Sequence, residues 1–479
     1  MNRKVLSVLG LLTLSTLLLF FFNACSKKND DVDHIFLVTV DTLRADHLSS
    51  YGYFRNTTPF IDSLGSKGII FEKAISQSAT TCSSIASIFT GMYPSEHKVL
   101  ANGFILDDLF LTMPEILKER SYRTAAFTST DRHFLASNID QGFDTYSEPA
   151  NTKKSHSLPY MPCEYVIKKA VKWLKTVKKN DKFFIWIHLF DPHLPFDVSK
   201  AEMRTYFPRH EREKFRKKLK SHLNITKNDL YRGFFRMDKI FTKYDSEIRS
   251  VDDQIKLLFQ FAERSGLNKR SLWVISADHG EGLGQHKWRE HAMELYQESL
   301  HVPLIFYSPN KNWGFRYPGL VENSSIFPTI IELTGNLKKR YGNFRISARS
   351  LKQILDNSST SVSDPSAFSE RQILGSNKSS ESIKPGLKKF YAEGEKYSFQ
   401  NDQYKYIFRT KGVDEFFDLE KDPYELNNLL LTGKNNADSE KLKAMMLRII
   451  SRIKKKSGIP GKHVRKDIIK KLKSLGYVL

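Results

Sequence analysis

Residues 34–41 read HIFLVTVD, an apolar and β-branched run closed by an acid, Asp41. Two further runs end the same way: KFFIWIHLF (182–190) leads into Asp191, Pro192 and His193, and SLWVISA (271–277) leads into Asp278 and His279. Continuous apolar runs of this length suit strands buried on both faces, as in parallel sheets. Ligands of such sheets collect at the carboxyl ends of the strands. Asp41, His193, Asp278 and His279 are therefore expected to converge. RTAAFTS (123–129) and VPLIFYS (302–308) read as further strands, and amphipathic segments separate the runs. The alternation predicts an α/β fold with a mostly parallel central sheet flanked by helices. There is no internal repeat, and NSSTSVSDPSA (357–367) reads as a surface loop.

The chain has 479 residues, 40% of them hydrophobic and 12% aromatic, which excludes global disorder. Its net charge of +22, from 75 Lys and Arg against 53 Asp and Glu, favours anionic partners. The basic segments RHEREKFRKKLKSH (209–222) and the tail from Arg452 carry no interleaved stacking aromatics and no nucleic-acid motif, so no nucleic-acid partner is expected. They read as solvated helix faces.

At the N-terminus, Arg3 and Lys4 precede an apolar run, Val5 to Phe22, and then Asn23, Ala24 and Cys25. The pattern resembles a bacterial lipoprotein signal (1–25), with Cys25 as the lipidated residue that anchors the protein to a membrane. Phe22 and Asn23 depart from the usual residues at those places, and an uncleaved anchor helix is the other reading. Both place the rest of the chain outside the cytoplasm, in a periplasm or at a cell surface. There Cys82 and Cys163 lie in an oxidising compartment where they could pair.

VDTLRADHLSSYGY (40–53), GMYPSEHKV (91–99), DPHLPF (191–196), ADHGEGLGQH (277–286), LYQESLHVPLIFYSP (295–309) and FFDLEKDPYELNNL (416–429) occur in one order. That order and spacing resemble the sulfatase family of the alkaline-phosphatase superfamily, from about residue 34 to about 430. The resemblance implies a large α/β catalytic domain (34–335), a smaller C-terminal α+β subdomain with a short antiparallel sheet (336–435), and metal-dependent attack on a sulfate or phosphate ester. A basic helical tail (436–479) follows. It reads as a solvated helix with one docked face, or as a segment lying on an anionic membrane surface.

In sulfatases the nucleophile is a Cys or Ser converted to formylglycine, within a motif that ends in Thr-Gly. Counting back from Thr90 and Gly91 puts that position on Thr81, with Cys82 one residue late. Cys82 is followed at the second and fourth places by Ser84 and Ala86, so the conversion signal is absent. Thr81 stands at a helix N-terminus, where backbone N–H groups favour an anion. The plainer reading is that Thr80 or Thr81 merely caps that helix. Family members with threonine here, the phosphoethanolamine and lipoteichoic-acid glycerophosphate transferases, pass a phosphoryl-linked group through a covalent intermediate. An unmodified threonine cannot form the aldehyde hydrate that expels sulfate, which favours a phosphorus ester.

A threonine hydroxyl is a weak nucleophile until coordination or a base lowers its pKa. By resemblance, Asp41, Thr81, Asp278 and His279 hold a divalent metal ion. Three oxygens and one nitrogen suit zinc or manganese better than calcium or magnesium. By resemblance to the phosphonate monoester hydrolases, Asn102, His193 and His291 stand at substrate-contacting positions. His291 is placed to act as acid toward the leaving group, with His286 as the alternative. His97, His188 and His301 read as structural, and Arg44 with Asp46 as a surface ion pair or cap on the Asp41 loop. The expected partner is an anionic ester substrate, with a glycan or a lipid as its carrier. The expected function is a metal-dependent ester hydrolase or transferase working through Thr81, on a phosphorus ester before a sulfate. A true sulfatase with an unusual nucleophile, and a catalytically decayed lipoprotein that binds an anionic glycan or lipid, are the alternatives.

Overall fold

The computed structural model describes residues 32–130, 133–149, 160–208, 210, 214–215, 217–218, 237–286, 289–336, 346–358, 361, 363–372, 394–433, 437–456 and 462–463. The signal segment and Cys25 lie outside the described residues.

The main sheet has nine strands. In chain order they are β1 (His34–Val40), β2 (Ile69–Ile75), β3 (Tyr122–Thr128), β4 (Thr145–Ser147), β5 (Lys182–Leu189), β6 (Ser271–Ala277), β7 (His301–Val302), β8 (Leu304–Tyr307) and β9 (Phe315–Glu322). Their order across the sheet is β7-β2-β8-β6-β1-β5-β3-β4, with β9 also beside β2. β1 lies parallel between β5 and β6, and β3 lies parallel to β5 and β4. β8 runs antiparallel between β2 and β6, so the sheet is mixed but mostly parallel. The three runs that suggested a parallel sheet are its centre. Every residue of β1 and β6 is buried, as is all of β5 after Lys182. Phe36 stacks on Trp273 at 3.9 Å, locking neighbouring strands on one face. On the other, Trp186 packs edge-on against Phe89 and Phe134.

The helices that matter to the site are α1 (Pro59–Gly65), α2 (Thr81–Thr90), α3 (Pro94–His97), α4 (Cys163–Leu174), α5 (Met237–Arg264) and α6 (Ile326–Leu333). All ten residues of α2 are buried, which a surface helix with one apolar stripe would not show. Two of its hydroxyls find backbone carbonyls. Ser84 donates to Asp278 O, and Thr90 to Ala86 O. Gly91 ends the helix at φ 66°, the left-handed conformation a C-terminal glycine supplies without strain. A Cβ there would stand 2.7 Å from Ile346.

A second sheet, β10 (Ala367–Arg371), β11 (Lys396–Gln400), β12 (Tyr404–Arg409) and β13 (Glu415–Asp418), is wholly antiparallel. Helix α7 (Ala437–Lys456) packs on it through Leu442, Met446, Ile450 and Ile453, the docked face expected of the basic tail. Beyond it, Lys462–His463 pairs with Phe104–Ile105 of the catalytic part. Cys82 and Cys163, which an oxidising compartment would have allowed to pair, are both free and buried. Burial pushes the Cys82 thiol up to about 12, so it is inert at neutral pH.

His97 ties α3 to α2. Its Nδ1 accepts from the Val99 N–H at 3.1 Å, so Nε2 carries the proton and donates to Ser87 Oγ at 3.0 Å. Burial pulls its pKa down to about 3. In the unfolded chain the ring titrates near its ordinary value of about 6.5, so the stability it contributes is whole above that pH and lost as pH falls toward the folded value. We predict that the unfolding free energy falls by up to about 1.4 kcal/mol per pH unit below pH about 6.5 from this group. Urea unfolding at a series of pH values should show a flatter slope for His97→Gln; an unchanged slope would contradict the assignment.

Candidate active site

The site is built where β1, β2, β5 and β6 end. Asp41 follows β1 directly, and its N–H donates to Leu189 O at the end of β5. Asp278 and His279 follow β6, and α2 opens with Thr81 shortly after β2. All four side chains are fully buried.

His279 is their meeting point. Its Nδ1 lies 2.9 Å from Gly280 O, and a carbonyl only accepts, so Nδ1 bears a proton. In the neutral ring Nε2 then presents its lone pair to Thr81 Oγ1 at 3.3 Å, Asp278 Oδ2 at 3.4 Å and Asp41 Oδ1 at 3.8 Å. Gly280 has no alternative, since a Cβ would fall 2.1 Å from Glu298 O. Asp278 is aimed by two backbone donors onto Oδ1, Thr42 N at 3.2 Å and His279 N at 2.8 Å, leaving Oδ2 for the cluster.

This arrangement asks for a cation. Both oxygens of Asp41 and Oδ2 of Asp278 have no hydrogen-bond partner among the described residues, although they are buried. Burial, then the neighbouring charge of Asp278, pushes the Asp41 carboxyl well above the usual carboxylate range. Uncompensated buried carboxylates are costly enough that natural sites pair them or place a metal between them. The spacing also fits. Ligand atoms about 2.0–2.1 Å from a tetrahedral ion stand about 3.4 Å apart, longer than a hydrogen bond. The donor set of carboxylate, hydroxyl and imidazole suits a borderline divalent ion.

His188, which the sequence reading set aside as structural, joins this cluster. Asp41, His188 and Asp278 each offer an atom within 4.8 Å of the others, making a possible buried metal-binding triad. Its Nδ1 pairs with Thr39 Oγ1 at 2.8 Å, and Thr39 also accepts from Trp186 Nε1. Its Nε2 lies 3.6 Å from Asp41 Oδ2 and has no hydrogen-bond partner. Burial pulls its pKa down to about 4, which keeps the ring neutral. A lone polar residue inside the apolar run WIHLF was the available signal.

The bland reading of the α2 threonines fails locally. Thr80 is the N-cap by position but makes no capping bond; its hydroxyl meets Ser78 at 2.8 Å. Asn102 caps the helix instead, with Oδ1 accepting from Cys82 N at 2.9 Å. Its Nδ2 is buried and unpartnered. Thr81 is thus left to face His279.

His193 and His291 arrive from separate loops. His193 follows the cis Asp191–Pro192 bond, and its Nδ1 donates to Leu194 O. The His291 ring lies 4.9 Å from that of His193 and 4.5 Å from that of His279, so the three imidazoles form one wall. His291 Nδ1 meets Glu281 Oε1 at 3.2 Å, a partner the sequence reading missed although it lies within ADHGEG. Burial alone would lower the His291 pKa, but Glu281, with Asp41 and Asp278 behind it, outweighs that and brings it up to about 9.

Other expectations are corrected. His286 stacks on Tyr296 at 3.7 Å, with Nδ1 at Glu298 and Nε2 at Glu425 O, so its ring is committed to packing and is no alternative acid. Arg44 is not part of a surface pair. It is buried, grips Asp46 at 2.8 and 2.7 Å, and donates to Glu281 O at 3.0 Å, tying the Asp41 loop to the loop after β6.

Comparison with known proteins agrees with this architecture. A family model described as Sulfatase matches residues 33–336, more than half of the chain. An ulvan-active sulfatase of Formosa agariphila is 24% identical over 425 residues, covering 83% of this chain and 77% of the relative. A structure solved in complex with its substrate D-glucosamine-2-N,6-O-disulfate superposes with a TM-score of 0.70 at 19% identity, over 88% of this chain and 98% of that one. The phosphonate monoester hydrolase of Agrobacterium radiobacter gives 0.65, also at 19% identity, over 88% and 95%. The two structural likenesses establish the fold, a mixed α/β sheet with a small antiparallel C-terminal sheet. The family match carries the identity: this chain belongs to the sulfatase family of hydrolases.

Proposed function

We propose that this chain is a metal-dependent ester hydrolase or transferase in which Thr81 attacks an anionic ester, a phosphorus ester in preference to a sulfate. The observation that supports this most is the position of Thr81 Oγ1, buried and 3.3 Å from His279 Nε2 within a cluster of unneutralised carboxylates. The ligands would be Asp41, Thr81, Asp278 and His279, with His188 beside them; the donor set favours zinc or manganese over calcium or magnesium. When bound, the ion supplies Lewis acidity and lowers the pKa of the hydroxyl it holds.

The remaining roles fall to the chain's own groups. Thr81 Oγ1, its proton released to solvent, forms the bond to phosphorus as the ester oxygen departs with its electron pair. His291, kept protonated beside Glu281, delivers a proton to that oxygen. Asn102 Nδ2 and His193 line the place of the non-bridging oxygens, where donors aimed in advance stabilise developing charge. Water then releases the group from Thr81, or an acceptor alcohol takes it. A glycan or lipid carries the ester in this reading, which the sulfated glucosamine held as substrate by one structural neighbour supports for the glycan. Export and anchoring through a lipidated Cys25 belong to the same proposal and rest on the N-terminal sequence. No helix among the described residues is long and apolar enough to cross a membrane.

Thr81→Ala should fold normally and lose about a thousandfold or more of turnover, as when a covalent nucleophile is removed. A panel of p-nitrophenyl phosphate, phosphonate, bis-phosphate and sulfate esters tests the class; dominant sulfate turnover that survives Thr81→Ala would reject it. Protein that binds a glycan without turning over any ester would mark a decayed binding module. Removing the metal with a chelator should also destabilise the fold, because Asp41 and Asp278 then face each other uncompensated. Thermal unfolding should shift downward by several degrees and recover on adding zinc or manganese; a melting temperature indifferent to both would count against a resident cation.

A further inference from the structure

The segment after His291 is tied to the small sheet more densely than packing requires. Lys396 of β11, only 1% exposed, donates to Met293 O at 2.8 Å and pairs with Glu294 Oε1 at 2.5 Å. From β12, Arg409 Nη2 reaches Glu294 Oε2 at 2.8 Å and Glu415 Oε2 at 2.6 Å. Tyr296 donates its hydroxyl to Glu415 Oε1 at 2.8 Å. From β10, Arg371 Nη2 meets Met293 Sδ at 3.6 Å. The Glu294 carboxylate is thereby gripped by two cations, one on each oxygen. Burial would raise its pKa, but Lys396 and Arg409 hold it below its usual range, so it stays charged.

What this grip restrains is unusual backbone. Glu290 and Ala292, on either side of His291, have φ of 83° and 72°, conformations that L residues other than Asn and Asp rarely adopt. Such residues persist only where the surroundings over-determine them. On the N-terminal side, Arg289–Glu290 pairs with Gly282–Leu283 of the loop after β6. On the C-terminal side the restraint comes from the small sheet through Glu294. His291 thus hangs between the catalytic loop and a different sheet.

We propose that the small sheet is a template for the leaving-group acid, and that Lys396 and Arg409, acting through Glu294, are positioning residues for His291. The proposal rests on the reading of His291 as proton donor. It gives the C-terminal sheet a role in the chemical step, although no residue of that sheet was placed among the site residues.

The test is a leaving-group series on the full-length enzyme, comparing p-nitrophenyl and phenyl esters of whichever acid the wild type turns over. A misplaced proton donor costs little when the leaving group departs unaided and much when it does not. Glu294→Gln should lose about ten- to a hundredfold in kcat on the phenyl ester and less than about threefold on the p-nitrophenyl ester, with KM little changed. Arg409→Met should show the same pattern and Arg409→Lys should restore most of the phenyl rate; these two carry the test should Glu294→Gln fail to fold. His291→Ala provides the reference. If it shows the leaving-group pattern and the Glu294 and Arg409 variants do not, or if they lose both esters equally, the template proposal is overturned while the acid reading stands. If His291→Ala itself loses both esters equally, the acid reading falls and takes the proposal with it.

Discussion

The structure turns on one electrostatic constraint. Asp41 and Asp278 leave adjacent parallel strands and bring their carboxylates to one buried point, together with a histidine whose other nitrogen is committed to a carbonyl. Desolvated like charges at that spacing repel strongly, and among the described residues the groups found around them are imidazoles, a hydroxyl and backbone N–H groups rather than a lysine or arginine. Arg44, three residues after Asp41, is spent on Asp46. A fold that builds such a point, with the His291 imidazole paired to a third carboxylate, Glu281, is organised around a cation from outside. The burial of α2, the capping of its first turn by Asn102 and the glycine at 280 each serve to bring one more donor to that point.

Much of this was legible in the sequence because the central strands are continuous apolar runs and the functional groups sit at their ends. Asp41, Asp278 and His279 needed only that pattern. Less legible were features that depend on register between distant segments. His188 became part of the cluster because β1 and β5 align Thr39 with His188, two residues short of Asp41 and so on the same face of the sheet. In the sequence it reads as one polar residue in an apolar strand. Glu281 was hidden for a different reason: its partner His291 lies ten residues on, across a loop, and nothing local links them. Arg44 was misread because a charged pair two residues apart normally belongs to the surface, and only the tertiary fold covers it.

The histidines show how chemistry is separated from packing. His97 has one ring nitrogen on a hydroxyl and the other on a backbone N–H, His286 is stacked on a tyrosine with Nε2 at a backbone carbonyl, and His301 gives Nε2 to Glu72 O. His279, His193 and His291 instead share one wall, in which His279 and His291 meet carboxylates. Lone histidines in a sequence do not reveal this difference, since it lies in what the second nitrogen meets. The same logic distinguishes Thr81 from Thr80. Both open the same helix, but one hydroxyl is spent on Ser78 and the other faces His279.

The central claim is that a divalent cation binds where these side chains converge and holds the Thr81 oxygen. Anomalous X-ray diffraction from crystals of the metal-loaded protein, recorded above and below the absorption edge of the ion, tests it most directly. The account predicts a single strong peak bounded by Asp41, Asp278 and His279, within coordination distance of Thr81 Oγ1. A peak elsewhere, or one at that place with the Thr81 hydroxyl turned away from it, would contradict it.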